Sequence, residues 1–193
     1  RLLNMEIKGI SIDSRTVNEG ELFIAIRGDR YDGHDFVPDV LNKGAWGALV
    51  EQSALESRLA AMSGLRNVIP VEDTLLALQE MSLIHRKKFI LPVIGITGSN
   101  GKTTTKEMLA SILLQKGPVL KNEGNLNNHI GVPLTLLKMD DRHKAAIIEM
   151  GMSGLGEIQT LTRLAAPAVG VITNISAAHL QFLGKLHQHR SRV

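Results

Sequence analysis

The sequence predicts an α/β fold made of two successive alternating units, and three observations carry that reading. Short apolar runs of the buried, parallel-strand type alternate with helical patterns along the chain. Leu91-Pro92 interrupts the alternation, which then restarts. At the restart a glycine-containing loop lies between an apolar run and an amphipathic segment. The 193 residues are 44% hydrophobic and 3% aromatic, which fits a globular chain and excludes a disordered or fibrous one. With no cysteine, a disulfide scaffold and a thiolate metal site are excluded as well.

The elements follow in order. Ile10 to Ile12 and Leu22 to Ile26 read as strands, and Phe36 to Lys43 as a helix with Phe36, Val37, Val40 and Leu41 on one face, closed by Gly44. Ala48 to Val50 is a strand, Ala54 to Met62 a helix, and Val68 to Val71 a strand. Asp73 or Thr74 caps a longer helix whose last turn carries Arg86, Lys87 and Lys88, the sign a helix C-terminus favours. After Pro92, Val93 to Thr97 is a strand and Thr103 to Lys116 a helix stopped by Gly117-Pro118. Ala145 to Glu149 is a buried strand, Glu157 to Leu164 a helix ending before Pro167, and Val169 to Thr173 a strand. These patterns set domain limits at residues 1–90 and 91–184, with 185–193 as a separate basic tail.

Charge adds a constraint. The 22 basic and 19 acidic side chains leave a net charge of +3, and Lys185, Arg190 and Arg192 of the tail account for all of it. A neutral body offers no clustered basic face, so no nucleic-acid partner is expected. No apolar run approaches the ~18 residues of a membrane span and the first residues lack a signal-peptide core, so a cytoplasmic location is expected.

Thr97-Gly98-Ser99-Asn100-Gly101-Lys102-Thr103-Thr104 is the strongest chemical signal. A loop between strand and helix can aim backbone N–H groups and a helix N-terminus at phosphates, with Lys102 neutralising charge and the Thr103 hydroxyl available to Mg²⁺. Residue 96 is Ile where the longer phosphate-loop pattern has Gly, so this is the shortened form, Gly-x-x-Gly-Lys-Thr. Glu149 closes a buried run at what should be the carboxyl end of a parallel strand. There it can hold the same metal, or stand as an ordinary exposed acid. His179 lies just past another strand end. It can ligate a second cation or touch phosphate, and equally serve a structural or surface role. Asn122 to Gly131 is rich in asparagine and could be a polar turn region. Asp13-Ser14-Arg15 and Gly28 to Asp35 also follow strands, where Ser14 and Arg15 could bind a ligand or simply be solvated loop residues. His187 and His189 have no third ligand beside them and read as part of the tail.

Taken together, "DSRTVNEGELFIAIRGDRYDGHDF", "GITGSNGKTTTKEMLASIL", "NEGNLNNHIGVPLTLL", "IIEMGMSGLGEIQTLT" and "GVITNISAAHLQFLG" resemble the Mur ligase family of bacterial cell-wall synthesis over about Gly9 to Gly184. The shortened loop is the form that family uses. "EMGMSGLGEI" and "GNLNNHIGVPLTLL" look like its dipeptide-adding member, whereas the first block is shared with the sister ligase that adds the third peptide residue. The resemblance implies a small α/β UDP-binding domain followed by a P-loop-type parallel-sheet ATP-binding domain that stops partway. It implies that Gly98, Ser99, Asn100, Gly101, Lys102, Thr103 and Thr104 bind ATP, that Thr103, Glu149 and His179 hold metal, and that Lys102, Glu149 and His179 are catalytic. Ser14 and Arg15 are implied for the UDP end of the substrate, with Asn125 and Asn128 lining the cleft. The implied reaction joins D-alanyl-D-alanine to UDP-N-acetylmuramoyl-tripeptide with ATP and Mg²⁺, in an enzyme expected to be monomeric. The family's third domain and the rest of its central one do not follow Gly184. This leaves an inactive nucleotide-binding fragment, the sister ligase or a folate-polyglutamate type relative as alternatives. A sheet cut at that point should expose an apolar edge and be poorly stable or self-associating.

Overall fold

The computed structural model describes residues 6–62 and 64–176. The chain divides into two compact units, Arg1–Leu78 and Gln79–Val193.

The first unit opens with β1 (Gly9–Ser11) and β2 (Glu21–Ile24). A short 3-10 turn (Gly33–Phe36) leads into α1 (Val37–Asn42), and then follow β3 (Gly47–Glu51), α2 (Gln52–Ser57), α3 (Leu59–Met62) and β4 (Val68–Val71). The four strands are parallel in the order β1-β2-β3-β4, with Phe23 opposite Ala48 and Leu49 opposite Ile69. Phe23, Val37, Val40, Ala48 and Val50 form the core between sheet and helices. Gly44, at φ 95°, ends α1 as its position predicts, a conformation that costs glycine nothing.

The helix expected over Ala54 to Met62 is broken at Arg58, whose φ of −116° is not helical. The Arg58 guanidinium reaches out of the helix line to Asp35 (2.9 Å) and Asp32 (2.8 Å). Asp32 also accepts from the ring of buried His34 (Nδ1···Oδ1 2.5 Å), and the Glu51 N–H donates to His34 Nε2 (2.9 Å). Because Nε2 must accept, Nδ1 carries the proton and donates to Asp32. The charged stretch from Gly28 to Asp35 is therefore a lock at the end of β3, built on one buried histidine.

α4 (Thr74–Arg86) starts where expected, with Asp73 Oδ1 accepting from the Leu76 N–H (2.9 Å). In the second unit β5 (Val93–Thr97) is followed by α5 (Lys102–Leu113), which tightens into a 3-10 turn at Leu114–Lys116. Next come β6 (Val119–Lys121) and α6 (Gly131–Leu136), then β7 (Ala145–Glu149), α7 (Glu157–Ala165) and β8 (Val169–Ile172). The strands are again all parallel, in the order β6-β7-β5-β8. β7 has a strand on each side and is buried at every residue, which is why it reads as an uninterrupted apolar run. Ile158, Leu161, Leu164 and Ala165 form the buried stripe of α7. That helix ends at Ala166, a non-glycine residue in the left-handed region (φ 44°, ψ 62°), and Arg86 Nε donates to the Ala165 carbonyl (3.0 Å). Among the described residues, no helix is long and apolar enough to cross a membrane.

The topology fixes where a ligand can be held. From β5 the chain runs out to the edge strand β6, returns to β7 beside β5, and then crosses to β8 on the other side of β5. Open parallel sheets bind ligands outside the carboxyl ends of strands at such a reversal. Ile96 of β5 is opposite Glu149 of β7, so the glycine loop and the carboxylate emerge side by side.

Candidate functional site

Gly98 and Gly101 adopt φ of 137° and 81°, conformations that favour glycine, and Gly101 caps α5 in the left-handed region. The turn ends with Lys102 and Thr103 in the first turn of α5, where a helix leaves its N–H groups without intrahelical acceptors. Lys102 Nζ donates to the Gly98 carbonyl (2.6 Å), so the lysine arches over its own loop.

Thr103 Oγ1 donates to Glu149 Oε2 (3.0 Å), linking the helix start to the end of β7. Glu149 is only 2% exposed, so its charge must be compensated inside the protein. Asn127 Nδ2 donates to Oε1 (2.8 Å), and the Lys106 ammonium lies 3.3 Å from Oε2. Lys106 is itself 1% exposed and also donates to the Asn122 carbonyl (3.0 Å). The backbone of Glu149 is held just as closely. Its N–H donates to Asn122 Oδ1 (2.6 Å), while Asn122 Nδ2 donates to the carbonyls of Leu126 (2.6 Å) and Glu149 (3.3 Å). The Asn122 amide thus takes the place of a neighbouring peptide group where β6 has ended.

Beside this centre opens a cleft of about 360 Å³ lined by Lys102, Asn127, Asn128, His129, Gly151 and Ser153, among others. Asn128 lies on the cleft wall, where its Oδ1 accepts from the N–H groups of Ile130 (3.1 Å) and Gly131 (2.8 Å) at the entry to α6. Asn125 is exposed, and its carbonyl accepts from the Asn127 N–H (2.7 Å). Ser99, Asn100 and Thr104 belong to the loop and the first turn of α5. His179 lies outside the described residues.

In the first unit Arg15 makes a two-pronged ion pair with Asp13, Nε to Oδ1 at 2.9 Å and Nη2 to Oδ2 at 2.6 Å. These hydrogen bonds hold the Asp13 carboxyl down at about 2. Ser14 offers its carbonyl to Lys43 Nζ (2.8 Å).

Lys106, Asn122 and Asn127 escape the sequence reading. For Lys106 a signal was present: it lies four residues before Ala110, and both occupy the buried face of α5. A lysine on the inner face of a helix needs a buried partner.

The fit of a magnesium ion rests on the donor set. Thr103 and Glu149 offer one hydroxyl and one carboxylate side by side, hard oxygen ligands of the kind this ion takes together with nucleotide phosphates. Among the described residues no group of three or more His, Asp or Glu side chains could hold a metal on its own.

A glycine loop at a parallel-sheet reversal, with a lysine, a threonine and a buried strand-end glutamate, is the arrangement of the α/β class whose loops can receive phosphate. Residues 6–86 match the Mur ligase family catalytic domain and residues 96–189 the Mur ligase middle domain; the chain belongs to the Mur ligase family. It is 42% identical over 184 residues to the UDP-N-acetylmuramoyl-tripeptide–D-alanyl-D-alanine ligase of Synechocystis, covering 94% of this chain and 39% of that protein. A crystal structure of MurF from Acinetobacter baumannii matches with a TM-score of 0.90 and 39% identity, over 98% of this chain and 40% of that one. MurF from Thermotoga maritima, solved in complex with ADP, matches with a TM-score of 0.86 and 32% identity, over 98% of this chain and 42% of that one. The chain spans about two fifths of the length of the curated relatives it matches.

Proposed function

We propose that this chain is the nucleotide-binding part of a cytoplasmic, ATP-dependent ligase that joins D-alanyl-D-alanine to UDP-N-acetylmuramoyl-tripeptide. The observation that carries the reading is the convergence of Thr103 and Lys106 on buried Glu149, beside the loop that presents Lys102. The names of the relatives supply the substrates.

In this reading the γ-phosphoryl group of ATP passes to the terminal carboxylate of the tripeptide, giving an acyl phosphate and ADP. The amine of the dipeptide then attacks the acyl carbon, and phosphate leaves as the amide bond forms. A magnesium ion held by Thr103 and Glu149, with His179 serving a second cation, would offset charge on the phosphate oxygens. Lys102 leaves the Gly98 carbonyl to neutralise the same charge. Amides of the loop and first turn of α5 orient the phosphates, so the protein's contribution is positioning and electrostatics. Asn127 and Lys106 hold the Glu149 carboxylate in place facing Thr103. Ser14 and Arg15 take the UDP end of the sugar peptide, with Arg15 exchanging Asp13 for a phosphate oxygen. Asn128, with Asn125 nearby, contributes to the cleft wall.

The test is ADP release by the chain with Mg-ATP, the UDP-sugar tripeptide and D-alanyl-D-alanine present, each omitted in turn, alongside calorimetric binding of each. Release that needs all three establishes the ligase. Binding of nucleotide and sugar peptide without release assigns these residues the binding steps only. A chain that binds neither ligand would sink both.

A further inference from the structure

The strand that feeds the glycine loop is bonded to β8, and the residues just beyond β8 grip the loop itself. The Ser99 N–H donates to the Asn174 carbonyl (3.0 Å) and the Asn100 N–H to Asn174 Oδ1 (2.9 Å). Thr173 Oγ1 donates to the Asn100 carbonyl (2.5 Å), and Asn100 Nδ2 to Ser176 Oγ (3.3 Å). Ser99 Oγ accepts from the Ser176 N–H (3.0 Å). The loop lies so close to this segment that a Cβ on Gly98 would collide with the Thr173 hydroxyl and stand 2.9 Å from the Asn174 carbonyl oxygen.

In an anion-binding loop, successive N–H groups usually converge on one oxyanion. Here the amides of residues 99 and 100 are turned to acceptors of the protein. Helix geometry leaves the amides of Gly101, Lys102, Thr103 and Thr104 as the ones without an intrahelical acceptor. We propose that Asn174 is a positioning residue for the nucleotide: by taking the Ser99 and Asn100 amides, it fixes the loop so that phosphate is received by the amides from Gly101 to Thr104. This rests on the nucleotide-binding reading above and adds to it a residue from outside the glycine loop. The choice of asparagine follows from its chemistry. Its Oδ1 accepts from the loop amide without placing a negative charge beside the phosphates.

The proposal is tested with the 193-residue chain by amide hydrogen exchange, without and with ADP, and by titration with a fluorescent ADP analogue. In the ligand-free chain the Ser99 and Asn100 amides should be protected, and Asn174→Ala, which removes Oδ1 and keeps the main-chain carbonyl, should speed exchange at Asn100 more than at Ser99. The same variant should weaken the analogue about tenfold, the scale of one lost hydrogen bond that orders a site. Asn174→Asp should restore the amide protection, because its carboxylate accepts as Oδ1 does. It should still bind the analogue weakly, with a deficit that shrinks as salt rises. A residue of merely structural importance would not separate the two readouts in this way, and Asn174→Asp answers the question even if Asn174→Ala fails to fold. Equal affinity and unchanged protection in Asn174→Ala would overturn the proposal. So would ADP drawing the Ser99 and Asn100 amides into new protection in the wild type. A wild-type chain that binds no nucleotide would instead overturn the functional reading on which the proposal rests.

Discussion

Asp13 and Glu149 are both carboxylates at the carboxyl ends of parallel strands, the first just beyond β1 and the second closing β7. Asp13 lies at the surface and shares one partner, Arg15, which is itself 85% exposed. Glu149 is buried and held by Thr103, Asn127 and Lys106, with Asn122 bonding its backbone on both sides. The geometry of the Asp13 pair is the tighter of the two by distance, yet water screens it. An exposed pair can trade partners at little cost. A buried pair cannot, so whatever Glu149 does depends on every neighbour staying in place.

The sharpest way to break this contrast is Lys106→Met, which leaves the buried carboxylate short of a cation. The expected loss is about 3–5 kcal/mol of folding stability in urea denaturation. Adding Glu149→Gln should recover much of it, because the double variant has no uncompensated charge. Gly98→Ala should cost about 1–3 kcal/mol, since the residue sits at φ 137° against Thr173, and it should also abolish analogue binding. Thr103→Val removes the hydroxyl that faces Glu149 while Lys106 remains. Calorimetry should show roughly 1 kcal/mol less stability and a weaker Mg-nucleotide complex. At the other end of the comparison, Asp13→Asn should leave the denaturation midpoint at neutral pH essentially unmoved. The Asp13 carboxyl is held at about 2 by Arg15, below its ordinary 3.8. Its small contribution is therefore present above the ordinary carboxylate range and fades as pH falls through about 2, so wild type and variant should converge there.

The parts of the fold legible in the sequence were those whose pattern is local. Val68–Val71, Val93–Thr97 and Ala145–Glu149 are apolar runs of strand length and form strands at those limits. β6 and α6 were not legible. The strand has three residues, and the helix opens Gly131-Val132-Pro133, a sequence that argues against a helix until Pro133 is placed in its first turn. Arg58 breaks a helix because of two aspartates far back in the chain, which periodicity cannot register. The candidate site divides the same way. Lys102 and Thr103 stand in a contiguous motif, and Glu149 at the end of an obvious strand. Asn122, Asn127 and Asn174 meet partners that only the strand order brings near, and among the several asparagines between residues 122 and 128 the sequence offers no means of choosing.

The end of α7 has a consequence for engineering the chain. Ala166 adopts a left-handed conformation that an L side chain resists and glycine accepts without penalty. A glycine there would relieve about 1 kcal/mol of strain at a position outside the residues that surround Glu149. The thermal tolerance of this unit is thus adjustable by a single-methyl deletion, and variants that weaken the buried carboxylate can be carried on a sturdier background.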